Sequence, residues 1–205
     1  MFKIRADEAV VYAGPTPAQC DYFSFVAFLM VRHQNPLIAK GDWLFASVGD
    51  PLNRDLIKTE GGGKPFHKQI MVIFTADEGI YNRIKKIAVS AGFPRTMINC
   101  FVIPSTVLYL GTGVDSDSLT IALRTASFPS KIEENKYLNN DYYATIYRVT
   151  PSSAPDHLQP FAWPDARKRD FRPEGGAFNS ALQAGLERLK AAILAKTPNA
   201  RLHGL

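Results

Sequence analysis

QIMVIFTADEGIYNRIKKIAVSAGFPRTMINCFVIPS, residues 69–105, decides the fold class of this chain. Its opening, QIMVIFTA, is a continuous apolar run rich in β-branched side chains, as in a strand buried on both faces. In DEGIYNRIKKIAVSA the residues Ile80, Ile84, Ile87, Ala88 and Ala91 recur at helical spacing and form one apolar stripe. Thr75 and Glu78 fit a capping box at the start of that helix, and Gly92 with Pro94 supplies its stop. TMINCFVIP then reads as a second strand. The segment is a strand–helix–strand unit.

Outward from it, Glu8–Tyr12 reads as a short strand ended by Gly14-Pro15-Thr16-Pro17. Tyr22–Arg32 is an apolar run whose aromatic and β-branched residues favour a strand buried on both faces, although Phe25, Phe28, Leu29 and Arg32 also fit helical spacing. Trp43–Val48 is a further strand running into a turn at Gly49-Asp50-Pro51, and Leu56–Thr59 reads as a short one before Gly61-Gly62-Gly63. Val107–Leu110 and Leu119–Thr125 follow, separated by the polar loop GTGVDSDS. Lys131–Asn139 is one or two helical turns, and Tyr142–Thr150 alternates as a strand. Proline is frequent across Pro151–Gly176, an irregular connection, and Phe178–Lys196 closes the chain as a helix with Leu182, Leu186, Leu189 and Ile193 on one stripe.

Strands outnumber helices, and one helix sits between two strands. The pattern predicts an α+β fold: a mixed, mainly antiparallel sheet with one βαβ unit, covered on one face by that helix and by the C-terminal helix. The expected organisation is a core domain over residues 1–151, a proline-rich connection over 152–177, and a C-terminal helix over 178–205 packed on the core.

The 205 residues carry 46% apolar and 21% charged side chains, as an ordinary folded domain does. The net charge of +5 is mildly basic. Lys3, Arg5, Lys40, Arg54, Lys85 and Lys86 are scattered along the chain, and the one tight run, Arg167-Lys168-Arg169, reads as a solvated loop, so nucleic acid is not an expected partner. Cys20 and Cys100 form no CxxC pair and read as free thiols, with one disulfide as the alternative in an exported protein. The N-terminus lacks a signal-peptide pattern, and the run Tyr22–Val31 is too short to span a bilayer. A soluble, cytoplasmic protein is expected.

Four places carry polar groups beyond the needs of packing. Asp77 and Glu78 stand at the carboxyl end of a buried strand, where ligands bind in open sheets, and two carboxylates there would act as acid and base or hold a cation. The alternative is that they only cap the helix and favour its positive end. Asp50, assisted by Asn53, follows a strand at a turn, where an Asp also bonds its own backbone. His67 follows Gly61-Gly62-Gly63-Lys64, which lacks Walker spacing, because Pro65 stands where Ser or Thr belongs, and reads as a flexible hairpin tip. As a general base His67 would serve the same pocket, although a lone histidine more often sits at the surface or satisfies a local hydrogen bond. Tyr143 and Tyr147 share one strand face and would line a site for a planar or sugar-like ligand, although tyrosine is also simply a good strand residue. No GxSxG, HExxH or GxGxxG occurs, and no histidine pair has metal-ligand spacing, so the sequence names no metal and no cofactor.

ASVGDPLN (46–53), TADEG with AGFPRTMINCFVIPS (75–105) and YLNN with YRVTP (137–151) together resemble an uncharacterised family that carries an ASxGDxLN segment, a TAD-started helix and an INxxVIP strand. The resemblance covers residues 8–151 and implies one domain there, with no activity, cofactor or catalytic residue attached. The residues therefore support two expectations. One is a small-molecule enzyme with acid–base or hydrolytic chemistry, in which Asp50 and Asp77 act as acid, base or metal ligand and His67 carries the proton. The other is a non-catalytic ligand-binding or protein-interaction domain.

Overall fold

In the computed structural model, residues 1–33, 43–61, 63–139, 144–162 and 180–196 are described. The apolar run at Gln69–Thr75 is β4, and it is paired on both sides. Ala9–Pro15 (β1) runs antiparallel to it, and Ile98–Val102 (β5) runs parallel. Thr145–Val149 (β7) adds antiparallel to β1, so the sheet has the order β5-β4-β1-β7. A strand with neighbours on both edges and layers on both faces has no solvent side, which explains the unbroken apolar sequence of β4.

A second sheet takes the rest of the strands. Tyr22–Val31 (β2) lies between Trp43–Asn53 (β3) and Ser118–Ala126 (β6), antiparallel to each. Here the expectation of a single sheet is corrected: the chain builds two, mostly antiparallel, and they share a core. Phe23, Phe25, Ala27 and Leu29 project from one face of β2 into a cluster with Val10, Tyr12, Ile70, Val72, Phe74 and Phe101. The alternate residues of β1 and β4, Ala9, Val11 and Ile73, point the other way. They meet Ile80 and Ala88 of the helix Glu78–Ser90 (α1) together with Ile98. The first unit, residues 1–163, is thus a three-layer α+β arrangement of helix, four-stranded sheet and three-stranded sheet.

Val26, Phe28 and Met30 of β2 form a smaller cluster on the face away from the shared core. Tyr22–Val31 is therefore buried on both faces, which decides strand against helix. Among the residues expected on the α1 stripe, Ile87 is an exception, 69% exposed, because the helix turns its Ile80–Ile84–Ala88 side to the sheet.

Two short strands expected from the sequence are absent, and side chains take the place of ladder bonds. At Leu56–Thr59, Asn99 Oδ1 accepts from the Lys58 N–H at 2.7 Å and Asn99 Nδ2 donates to the Lys58 carbonyl at 3.0 Å. At Val107–Leu110, Arg32 donates to the Val107 carbonyl at 2.5 Å, and the buried Asp117 carboxylate accepts from the Tyr109 N–H at 2.9 Å. Arg32 and Asp117 also form an ion pair at 2.9 Å.

Lys131–Asn139 (α2) is helical as expected and buries none of its residues. Residues 164–205 form a second unit, of which the helix Ser180–Lys196 (α3) is described. Both cysteines are free. Cys100 is half-buried on β5, and desolvation pushes its thiol pKa up to about 12. Among the described residues, no helix is long and apolar enough to cross a membrane.

Candidate functional site

The carboxyl end of β4 carries a buried polar network. β1 enters the sheet here, because Ala9 pairs with Thr75 on one side and with Val149 on the other. Glu8, just before β1, is therefore held between β4 and β7, with only 3% of the residue exposed. Its Oε2 accepts from the Arg5 N–H at 2.9 Å and from Arg148 at 2.6 Å, and its Oε1 accepts from the Thr150 hydroxyl at 2.7 Å. Burial by itself raises the pKa of this carboxyl. The hydrogen bonds from Arg148, the Arg5 backbone and Thr150, with the charge of Arg148, outweigh burial and bring it down to about 2.

Asp77 sits at the same end, 3% exposed. It is the N-cap of α1: its Oδ1 accepts from the Ile80 N–H at 2.8 Å. Its Oδ2 accepts from the Gln159 N–H, and the Glu78 N–H donates to the Gln159 carbonyl at 2.7 Å. The Phe161 N–H donates to the Ala76 carbonyl at 3.2 Å, so residues 159–161 lie as a strap across the start of the helix. This strap belongs to the first unit, although the sequence placed it in the connection. The capping box expected from Thr75 and Glu78 is not formed. Thr75 is still strand, and its hydroxyl donates to the Glu8 carbonyl at 2.9 Å.

Of the remaining expected site residues, His67 stands apart from Asp77. His67 precedes β4 and Asp77 follows it. A strand of 7 residues separates them, which at about 3.3 Å per residue is roughly 23 Å. The expectation of one pocket holding both is therefore corrected, because the strand they bracket is extended and straight through the sheet. His67 is exposed, its backbone is in the left-handed region at φ 52°, and its N–H donates to the Pro17 carbonyl at 3.0 Å. Asp50 is exposed on β3, which continues to Asn53 instead of turning at Gly49-Asp50-Pro51. Register slips there, since Ala27 pairs with Val48 and Phe25 with Leu52, so residues 49–51 bulge opposite Val26. Gly49 has φ +74°, and a Cβ on it would stand 3.0 Å from the Val102 carbonyl oxygen of β5. Glycine is required where the two sheets come this close. Asn53 closes an Asx turn, its Oδ1 accepting from the Asp55 and Leu56 N–H groups at 3.1 and 3.2 Å. Tyr147 is exposed on the edge strand β7, and Tyr143 lies outside the described residues.

A concavity lies on the outer side of α1. A cleft of about 340 Å³ is lined by Asn82, Lys85, Lys86, Val89, Ser90 and Arg95. Five of these positions recur at helical spacing along one side of α1, and the helix end places Arg95 across from them. Gly92, at φ +92°, ends the helix in a Schellman turn: the Phe93 N–H donates to the Ala88 carbonyl at 2.9 Å and the Gly92 N–H to Val89 at 3.0 Å. Pro94 then starts the 3-10 turn Arg95–Met97, and buried Met97 anchors it. Lys85 lies half-buried with its ammonium 5.2 Å from the centre of the Tyr81 ring. Among the described residues, none of Lys85, Lys86 and Arg95 forms an ion pair with a carboxylate.

No family model, curated protein or solved structure matches this chain. Among the described residues, no group of three or more His, Cys, Asp or Glu is arranged to hold a metal ion. The cleft was not anticipated from the sequence. In the sequence Lys85 and Lys86 read as scattered charges, and eight residues with a glycine–proline stop separate Lys86 from Arg95. The stop itself is legible in the sequence, but not its consequence: the Schellman glycine and the proline after it fold the next residue back beside the helix they end.

Proposed function

We propose that this chain is a non-catalytic ligand-binding domain whose binding surface is the cleft between α1 and the 3-10 turn, and that its ligand is an anion. The observation that carries this reading is the composition of the cleft wall. Three cations, an amide and a hydroxyl surround one apolar residue, with no carboxylate, imidazole or thiol among them. Such a wall supplies charge and hydrogen-bond donors to a ligand and lacks the usual pairs for general acid–base or nucleophilic chemistry. The acid–base reading needs its groups within reach of one substrate, and the separation of His67 from Asp77 by the length of β4 weighs against it.

A thermal-shift panel tests the reading on the full chain, with anionic and neutral small molecules against wild type and a Lys85→Gln/Lys86→Gln/Arg95→Gln variant. Anions should raise the melting temperature of wild type and leave the variant unmoved. A ligand at a hundredfold excess over its Kd stabilises by about 2.7 kcal/mol. Stabilisation that persists in the variant, or a compound turned over by wild type and left intact by Asp77→Asn, would replace this reading with the enzymatic one.

A further inference from the structure

Resting on that reading, we infer that the cleft takes the diphosphate group of a small molecule, with the remainder of the ligand standing in solvent. Charge is the first argument. A phosphate monoester carries about −1.5 to −2 near neutral pH, so two linked phosphates bring roughly three negative charges. Lys85, Lys86 and Arg95 bring three positive ones. A single phosphate or carboxylate would leave at least one cation of the cleft uncompensated.

Donor geometry is the second. The Arg95 guanidinium is a planar fork suited to two oxygens of one phosphate, whereas the two lysines are point charges that tolerate a second phosphate at varied angles. Asn82 and Ser90 add neutral donors along the same side of the helix, and phosphate oxygens are acceptors throughout. Size is the third argument. At about 340 Å³ the cleft stands at the small end of the roughly 300–1,000 Å³ usual for small-molecule sites. It holds a compact group and not a whole cofactor.

Two features of the helix bear on an anion at this place. The cleft adjoins the carboxyl-terminal end of α1, where the helix dipole is negative. The Schellman bonds engage the carbonyls of Ala88 and Val89 with backbone N–H groups, and the capping Ala91 N–H donates to the Ile87 carbonyl at 2.9 Å, so these oxygens are partnered within the turn. The acid nearest along the same side is Glu78. It precedes Lys85 by seven residues, roughly 10 Å along the axis, and does not line the cleft.

Isothermal titration of the full chain at low salt, with sodium pyrophosphate, inorganic phosphate, a nucleoside diphosphate and citrate, decides the matter. Pyrophosphate should bind at least about tenfold more tightly than phosphate. Arg95→Ala and Lys86→Ala should each weaken it by about tenfold, the usual effect of losing one charge-assisted contact. A nucleoside diphosphate should bind within a few-fold of pyrophosphate, because the cleft leaves the rest of the ligand outside. Lys86→Glu should abolish binding while the melting temperature stays near that of wild type. If citrate binds as tightly as pyrophosphate, with the same sensitivity to these variants, the cleft is an anion site without phosphate preference and the diphosphate inference falls alone. If no anion responds to any cleft variant, the inference and the binding reading fall together.

Discussion

The strand-end network and the α1 cleft hold similar polar groups in opposite states. Around Glu8 and Asp77, the carboxylates are buried and satisfied by donors from other parts of the same chain. Around the cleft, Lys86 and Arg95 are exposed, with no carboxylate partner among the described residues. A buried polar group is costly unless hydrogen-bonded, so the first arrangement joins strands, helix and strap into one structure. An exposed cation costs the fold almost nothing, so the second has no evident structural duty. If the distinction is right, substitutions in the network damage stability, and substitutions in the cleft damage only binding.

Asp77→Ala should give the largest effect. It removes the N-cap of α1 and the acceptor that holds the Gln159 strap, both in a buried site. A lost cap costs about 1 kcal/mol and a lost hydrogen bond to a buried charge about 1.5–3 kcal/mol, so about 3 kcal/mol of destabilisation is expected. Chemical denaturation measures it. Asp77→Asn, which keeps one acceptor oxygen, should recover more than half. A loss within 0.5 kcal/mol for Asp77→Ala would mean that the strap is held otherwise, and the comparison would fail at its strongest point.

Glu8 sharpens the same side of the comparison through pH. Its folded pKa of about 2 lies below the ordinary carboxylate value of 4.5. The native state therefore binds its proton later than the unfolded chain does. The stabilisation is fully present above pH 4.5 and disappears as pH falls toward 2. It amounts to something on the order of 2–3 kcal/mol, with Arg148 partly exposed to solvent. Glu8→Gln should flatten the stability profile across that window, measured by denaturant unfolding from pH 6 to pH 2. An unchanged slope would move the acid sensitivity to other carboxylates.

Asn99→Ala should cost about 2 kcal/mol, because it leaves the N–H and the carbonyl of Lys58 without their partner. This residue also shows where sequence reading stops. Ile98–Val102 was legible as a strand from its apolar run, and β4 and α1 likewise from their periodicity. A local pattern reports which way a segment faces, not which segment it meets. Two sheets sharing a core and one sheet with helices give the same alternation along β1, so the number of sheets was hidden. Asn99 replaces a strand at residues 56–59 by a contact across 41 positions, which no local spacing encodes. For the same reason Asp77 looked like half of a catalytic pair, since its second partner, Gln159, lies 82 residues away. Arg95 was hidden behind a turn that only its folded geometry brings beside Lys86.

The smallest expected effect on stability is the one that tests the other side. Lys85→Gln, Lys86→Gln and Arg95→Gln together should change unfolding free energy by about 0.5 kcal/mol or less, as exposed charges outside ion pairs usually do. Removing three like charges from one place even relieves some mutual repulsion, so a slight gain in stability is the expected sign at low salt, fading as salt is raised. Lys85 is the member most able to depart from this, since its stem lies half-buried against Tyr81. A triple variant that unfolds easily would show that these cations hold the helix end in place, and the cleft would join the structural side. A triple variant as stable as wild type, yet indifferent to anions that stabilise wild type, would separate the two regions by function as cleanly as their burial separates them by structure.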